Sequence, residues 1–272
     1  MRSWLVLSVL LHHRYAGATL PLEDALPRSI GVVGVGTIGS AVARGILSSQ
    51  PGHLSHMPNF VLSPRNAQKS KALNKEFPNY TRIATNDQGV VDGADCIILA
   101  VPGSVAAQII KELKFRSQQQ VVSLVAAVNF TELQVLLGPG VDSSLAVPLP
   151  AVAKRQGATL GFPSRPYAKA IFSALGTYVA VENEDQYKIL SVANTFMGDF
   201  YKRQLTMQQW MAMQGVDVVT ASAFIGAIFK TIAADSADAG PSTFQEKLAE
   251  QTPGGLNEMV WKQQEAAGVY AS

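Results

Sequence analysis

The six residues Gly34-Val35-Gly36-Thr37-Ile38-Gly39 constrain this chain more than any other feature of it. The pattern G-x-G-x-x-G is common by chance, but here the apolar run Ser29-Ile30-Gly31-Val32-Val33 precedes it and reads as a short buried strand. Behind it, Ser40 to Ser49 carries Val42, Ile46 and Leu47 at helical spacing. A strand that turns through glycines straight into a helix is the context in which this pattern binds a dinucleotide. Gly34 permits the tight turn, Gly36 lets backbone N–H groups approach a pyrophosphate, and Gly39 lets the helix lie close to the strand. Thr37 and Ile38 then stand at the positive end of the helix, where phosphate is favoured. A purely structural strand-to-helix turn is the alternative reading of the same residues.

The end of the next strand, Phe60-Val61-Leu62, discriminates between nicotinamide cofactors. A site for NAD usually places Asp or Glu there to accept hydrogen bonds from the ribose 2′-hydroxyl. This chain instead has Ser63-Pro64-Arg65-Asn66. A carboxylate would repel a 2′-phosphate, whereas Arg65 and the Ser63 hydroxyl can bind one, with Asn66 beside them. NADPH is therefore favoured over NADH; the alternative is that Arg65 is an ordinary solvated charge. Ala100-Val101-Pro102 follows a later strand, and Ser123 to Ala127, which includes Ala126, reads as part of the next. Small residues at these carboxyl ends suit a nicotinamide ring lying over the sheet edge.

Further strands at 60–62, 81–85, 95–101 and 120–128 alternate with helices at 66–77 and 105–113. That alternation implies β-α-β units and an α/β, Rossmann-type doubly wound parallel sheet over residues 29–182. From residue 183 onward strand signals vanish, and periodicity predicts helices at 185–198, 200–214, 217–238, 242–251 and 255–267. The segment from Met211 to Phe229 is apolar nearly all round, so it must be buried on most sides. About 90 residues cannot easily do that alone, so a C-terminal all-helical dimerisation domain, giving a homodimer or higher homo-oligomer, is expected; packing against the sheet domain is the alternative.

Of 272 residues, 47% are hydrophobic and 15% charged, which excludes a disordered chain. The net charge is +2 with no basic block, so no nucleic-acid partner is expected. The single cysteine, Cys96, lies in an apolar run and reads as an inert buried thiol. The four histidines lack a companion cluster of ligands, so no metal site is expected. Residues 1–28 have a basic start, an apolar stretch from Trp4 to Leu11 and no acid before Glu23. A secretory signal, an organellar transit peptide and an extension without an address all fit this leader, and the stretch is too short to span a bilayer. A cytoplasmic or, after leader removal, organellar protein without a membrane partner is expected, with secretion as the open alternative.

Taken together, these segments resemble the pyrroline-5-carboxylate reductase family over nearly all of residues 29–268. The order of motifs carries the resemblance: GVGTIG, then ADCIILAVP, then VVSLVAAV where the family has a Ser-x-x-Ala-Gly run. AVPLPAVAKRQGAT follows where the family has R-x-M-P-N-T-P, and Thr252-Pro253-Gly254-Gly255-Leu256-Asn257 matches its S-P-G-G-x-T. The resemblance implies hydride transfer from NADPH to a cyclic imine carboxylate, the step that forms proline. It implies that Asn257 stands at the position contacting the imine nitrogen. Thr252 could add a hydroxyl donor, and the amides of Gly254, Gly255 and Leu256, ahead of the last helix, would be free to meet the substrate carboxylate. An ordinary Pro-Gly turn capping a helix is the alternative.

Leu149 and Pro150 replace the Asn and Thr of M-P-N-T-P, Ala127 replaces a glycine, and Asn257 replaces a threonine. The chain also stops soon after Gly268, short of the family's final helix. These departures imply an altered substrate pocket. Two alternatives follow: a related imino- or keto-acid reductase, and a non-catalytic NADP-binding dimeric protein. The lysine-bearing helix motif of hydroxyacid dehydrogenases is not found.

Overall fold

The computed structural model describes residues 26–50, 52–54 and 56–270. The expected leader therefore lies almost wholly outside the described residues. Its last three residues are an exception, since Leu26 is buried in the core and Pro27 offers its carbonyl to the His56 ring. The chain divides into two compact units, one running to Asn194 and one from Thr195 onward.

The first unit is an eight-stranded sheet. Its strands are β1 (Ser29–Val33), β2 (Asn59–Leu62), β3 (Thr81–Ile83), β4 (Cys96–Leu99), β5 (Gln120–Ser123), β6 (Asp142–Pro148), β7 (Gly157–Phe162) and β8 (Gly176–Ala180), in the order β3-β2-β1-β4-β5-β6-β7-β8. The helices between them are α1 (Thr37–Leu47), α2 (Ala67–Glu76), α3 (Asp87–Asp92), α4 (Gly103–Lys111), α5 (Phe130–Leu137) and α6 (Pro166–Ala174), followed by α7 (Glu184–Ser191).

Burial on both faces explains the near-continuous apolar strands. Ile30, Val32, Ile98, Phe60 and Leu62 pack with Val42 and Ile46 of α1 and Phe172 of α6. Val33, Val61, Ile97 and Leu99 pack on the other face with Val90 of α3, Ile110 of α4 and Leu133 of α5. Period-two alternation thus sends successive residues of each strand into two separate cores. The chain winds outward from β1 to β3, then returns to place β4 on the other side of β1. Such a reversal opens a crevice at the carboxyl ends of the two central strands.

The structure differs from the sequence expectation in five ways. β7 runs antiparallel to β6, and β8 is parallel to β7, so the parallel sheet ends at β6. The last three strands escape sequence reading because Ser143, Ser144, Pro148, Gly157 and Gly161 interrupt their apolar runs. β5 ends at Ser123, and Leu124–Val128 turns instead of extending the strand. Helix α7 belongs to the first unit, not the helical one: Tyr187 is buried there and its ring lies 6.3 Å from that of Phe162. The expected helix over 185–198 breaks after Ser191 into a 3-10 turn.

The second unit comprises α8 (Phe196–Met213), α9 (Val218–Asp235), α10 (Thr243–Ala249) and α11 (Leu256–Ala266). Asp217 caps α9 by accepting from the amides of Val219 and Thr220, and Phe200 of α8 packs edge-on against Phe229 of α9. Only Ala221 and Ile225 of these four helices are buried.

Candidate nucleotide site

The turn from β1 into α1 is built on three glycines with three different reasons. Gly34 has φ +97°, and a Cβ there would lie 2.6 Å from the Ala100 carbonyl oxygen, against the neighbouring β4. At Gly39 a Cβ would sit 2.3 Å from the Gly34 carbonyl, so only glycine lets α1 pack this close. Gly36 is open: the nearest atom to its would-be Cβ is 3.9 Å away. It is the N-cap of α1 and makes no side-chain cap bond, and the first turn of α1 carries no acid. The positive end of the helix is therefore left without an internal partner charge, which suits an anion.

This turn forms one wall of a cavity of about 690 Å³. Gly34, Gly36, Thr37, Ile38, Arg65, Asn66, Ala100, Val101 and Pro102 all line it, so nine residues singled out in the sequence meet at the crevice beside β1 and β4. Three others do not line it. Gly39 lies beneath the helix, in the packing role just described. Ser63 is fully buried and donates its hydroxyl to Asp87 Oδ1 at 2.6 Å, so it does not face the cavity. Ala126 is exposed in the turn after β5, and Leu124 takes the lining position because the strand ends early. Val105 and Ile109 of α4 complete the apolar side, a contribution that sequence reading missed.

The charged groups cluster at the β2 end. Arg65 Nε stands 2.6 Å from Asp87 Oδ2, with the arginine side chain 56% exposed and the aspartate 7%. The Asn66 side chain caps α2 by accepting from the Lys69 amide, and Lys69 Nζ reaches the Thr37 hydroxyl at 3.2 Å across to α1. Two cations thus border the turn. Lys69 and Asp87 were missed; the Asn86-Asp87 pair after β3 is a helix-start signal that could have flagged the acid. Cys96 is buried, and burial pushes its thiol far up, which makes it inert.

The segment from Thr252 to Asn257 belongs to the helical unit and precedes α11. Here the expectation of three free amides is corrected. The Gly254 amide donates to Glu258 Oε2 at 2.7 Å, and the Gly255 amide donates to the Thr252 carbonyl at 2.9 Å. Glu258 reaches back as an N-terminal acid does in a capping box, and Lys262 holds its other oxygen at 2.6 Å. The Lys262 ammonium first, and then the Gly254 amide, keep the Glu258 carboxyl below its ordinary range. Thr252, Leu256 and Asn257 are exposed. Among the described residues, no group of three or more His, Cys, Asp or Glu is placed to hold a metal ion.

A sequence-family model described as NADP oxidoreductase, coenzyme F420-dependent, matches residues 29–127. No curated protein sequence matches the chain. Among solved structures, 1-pyrroline-5-carboxylate reductase from Streptococcus pyogenes is similar with a TM-score of 0.73 at 19% identity, covering 91% of this chain and 93% of that one. Pyrroline carboxylate reductase from Plasmodium falciparum, solved with NADP bound, gives 0.73 at 14% identity, covering 89% and 92%. A reductive aminase from Aspergillus terreus, in complex with a nicotinamide cofactor, cyclohexanone and allyl amine, gives 0.60 at 15% identity, covering 82% and 76%. At these identities the likeness is one of fold, and it runs through both the sheet and the helical part.

Proposed function

We propose that this protein is an NADPH-dependent reductase of a small cyclic imine carboxylate, a divergent relative of the pyrroline-5-carboxylate reductases. The observation that carries the reading is the cavity lined by the open glycine turn, with Arg65 at one end and Ala100–Pro102 at the other. The match to an NADP oxidoreductase family model over the same residues supports it.

The residues fit such a cofactor. Gly36 leaves room for the diphosphate against the amides opening α1, Arg65 and Lys69 supply positive charge near the second strand, and Val101, Ile109 and Leu124 offer an apolar bed. When bound, NADPH supplies the hydride. The protein's part is then to orient two reactants, an effect worth up to roughly 7–11 kcal/mol in favourable cases. Asn257 is proposed to contact the imine and Thr252 to assist, with an imine that binds already protonated needing no further acid.

A second reading has its own support. Glu258 already engages the Gly254 amide proposed for the substrate carboxylate, and the fold is shared with a reductive aminase solved with cyclohexanone and an amine. An imine without a carboxylate would leave Glu258 in place. Consumption of NADPH with pyrroline-5-carboxylate, set beside uncharged cyclic imines, decides between them. Turnover of the carboxylate alone supports the first reading and turnover of the uncharged imines alone the second. Nucleotide binding with no turnover on either panel points to a non-catalytic binding protein.

We further propose that a second copy of the chain covers the helical unit. Phe196, Val219, Phe224 and Ile232 are each at least 59% exposed, and such a density of exposed apolar side chains marks an interface. Helix α9 is the one described helix long and apolar enough to cross a membrane. Lys230 within it makes a protein partner the better cover than lipid.

A further inference from the structure

We propose that Asp87 is a positioning residue for cofactor selection: with Ser63 it forms a buried clamp that aims the Arg65 guanidinium at the 2′-phosphate of NADPH. The inference rests on the cofactor reading above and assigns a role to an acid that the reading does not use.

Asp87 is the first residue of α3, just past the end of β3, and Ser63 stands just past the end of β2. The Ser63 hydroxyl donates to Asp87 Oδ1 at 2.6 Å and also lies 3.4 Å from the Arg65 amide, so one hydroxyl ties the acid to the backbone of the arginine. Asp87 Oδ2 meets Arg65 Nε at 2.6 Å, in a contact that is ionic and not a well-aligned hydrogen bond. Burial of a carboxylate costs several kcal/mol unless a partner offsets it, and helix capping does not explain it here. Asn86 already accepts the Gly89 amide at 2.8 Å, and an exposed acid would satisfy the helix dipole equally well.

What the burial does accomplish is geometric. The guanidinium has five N–H donors. With Nε held in ionic contact with Asp87, the two terminal nitrogens are left for a ligand. Arg65 and Ile109 both line the main cavity and a second one of about 340 Å³, and Asp87 lines only the second. The acid therefore does not line the nucleotide cavity. Both of its oxygens are engaged by the protein, so it is not a ribose acceptor of the kind an NAD site uses.

Two effects oppose each other, and the sign of a mutation separates them. As a bare charge, Asp87 weakens phosphate binding, and its removal would strengthen it. As a clamp, it prevents a long side chain from sampling other rotamers, and its removal would weaken binding. The clamp is expected to dominate because Arg65 lines the nucleotide cavity and Asp87 does not.

The test is fluorescence titration of the full chain with NADPH and with NADH. Asp87→Ala is expected to raise the Kd for NADPH about tenfold, the scale of one hydrogen bond to a charged group, and to leave the Kd for NADH within about twofold. In an Arg65→Gln background the same change should have no further effect on NADPH, because the two act as a unit. Asp87→Asn, which keeps the shape and the Ser63 contact, should fall between wild type and Asp87→Ala. Ser63→Ala should shift NADPH in the same direction, and it decides the matter if Asp87→Ala fails to fold. Equal or tighter NADPH binding by these variants overturns the proposal, as does equal weakening of both nucleotides or additivity with Arg65→Gln. A wild-type protein that prefers NADH, or binds neither nucleotide, overturns the cofactor reading as well.

Discussion

The two units of this chain satisfy their apolar residues in opposite ways. In the sheet unit, β1, β4 and β5 bury nearly every residue, and helices on both faces close two separate cores. In the helical unit, four helices bury only Ala221 and Ile225, while Phe224 and Val219 of the same helix stay exposed. A sheet covered on both sides completes its own core. An apolar helix pair with little beneath it does not, which is why a second copy is proposed to cover it. The first unit can therefore be tested through its internal fit and its ligand, the second through its association.

The strongest attempt to break this contrast is Phe224→Glu combined with Val219→Glu. If a second copy covers α9, dissociation of the dimer should be favoured by about 2 kcal/mol or more per copy. The sheet unit should keep its nucleotide binding. Light scattering as a function of concentration reads the outcome; an unchanged oligomer means these side chains are not the interface.

Gly39→Ala probes the internal fit of the sheet unit. Its methyl would approach the Gly34 carbonyl to 2.3 Å, and such overpacking costs about 1–3 kcal/mol. The denaturation midpoint should fall and nucleotide binding weaken together. Arg65→Gln is the next smaller effect: loss of a charge-assisted contact of about 2 kcal/mol, seen with NADPH and not with NADH. Equal loss with both would remove the 2′-phosphate role.

Asn257→Ala should reduce turnover by about tenfold, on the order of one lost hydrogen bond, with NADPH affinity near normal. Unchanged turnover removes the substrate contact. The smallest effect concerns pH. The Glu258 carboxyl lies below its ordinary range, so its contribution is fully present above the unfolded value and is lost as pH falls through the lowered one. The protection of the Gly254 amide from hydrogen exchange, taken relative to its intrinsic rate at each pH, should fall on acidification over that interval and stay constant at neutral pH.

The sequence shows some of this plainly and some not at all. Gly34, Gly36 and Gly39 were readable because each backbone requirement has a fixed offset from the strand before it. The helices of the second unit were readable to within a few residues at most ends because long apolar periodicity survives local noise. β6 to β8 were not, because serine, proline and glycine break their apolar runs, and pairing with the strands next in chain order holds them in place. Ser63 faced the wrong way for a related reason: its hydroxyl partner, Asp87, is 24 residues away and joined only by the adjacency of β2 and β3. The Gly254 and Gly255 amides were committed locally, by Glu258 and Thr252, a capping geometry that the motif shares with an anion site.

Calorimetric titration of the purified chain with NADPH, with 2′-phosphoadenosine 5′-phosphate as competitor, tests the central claim most directly. The account predicts saturable binding of one NADPH per chain, displaced more readily by that competitor than by adenosine 5′-phosphate. Absence of heat with NADPH and NADH alike at millimolar ligand would contradict it.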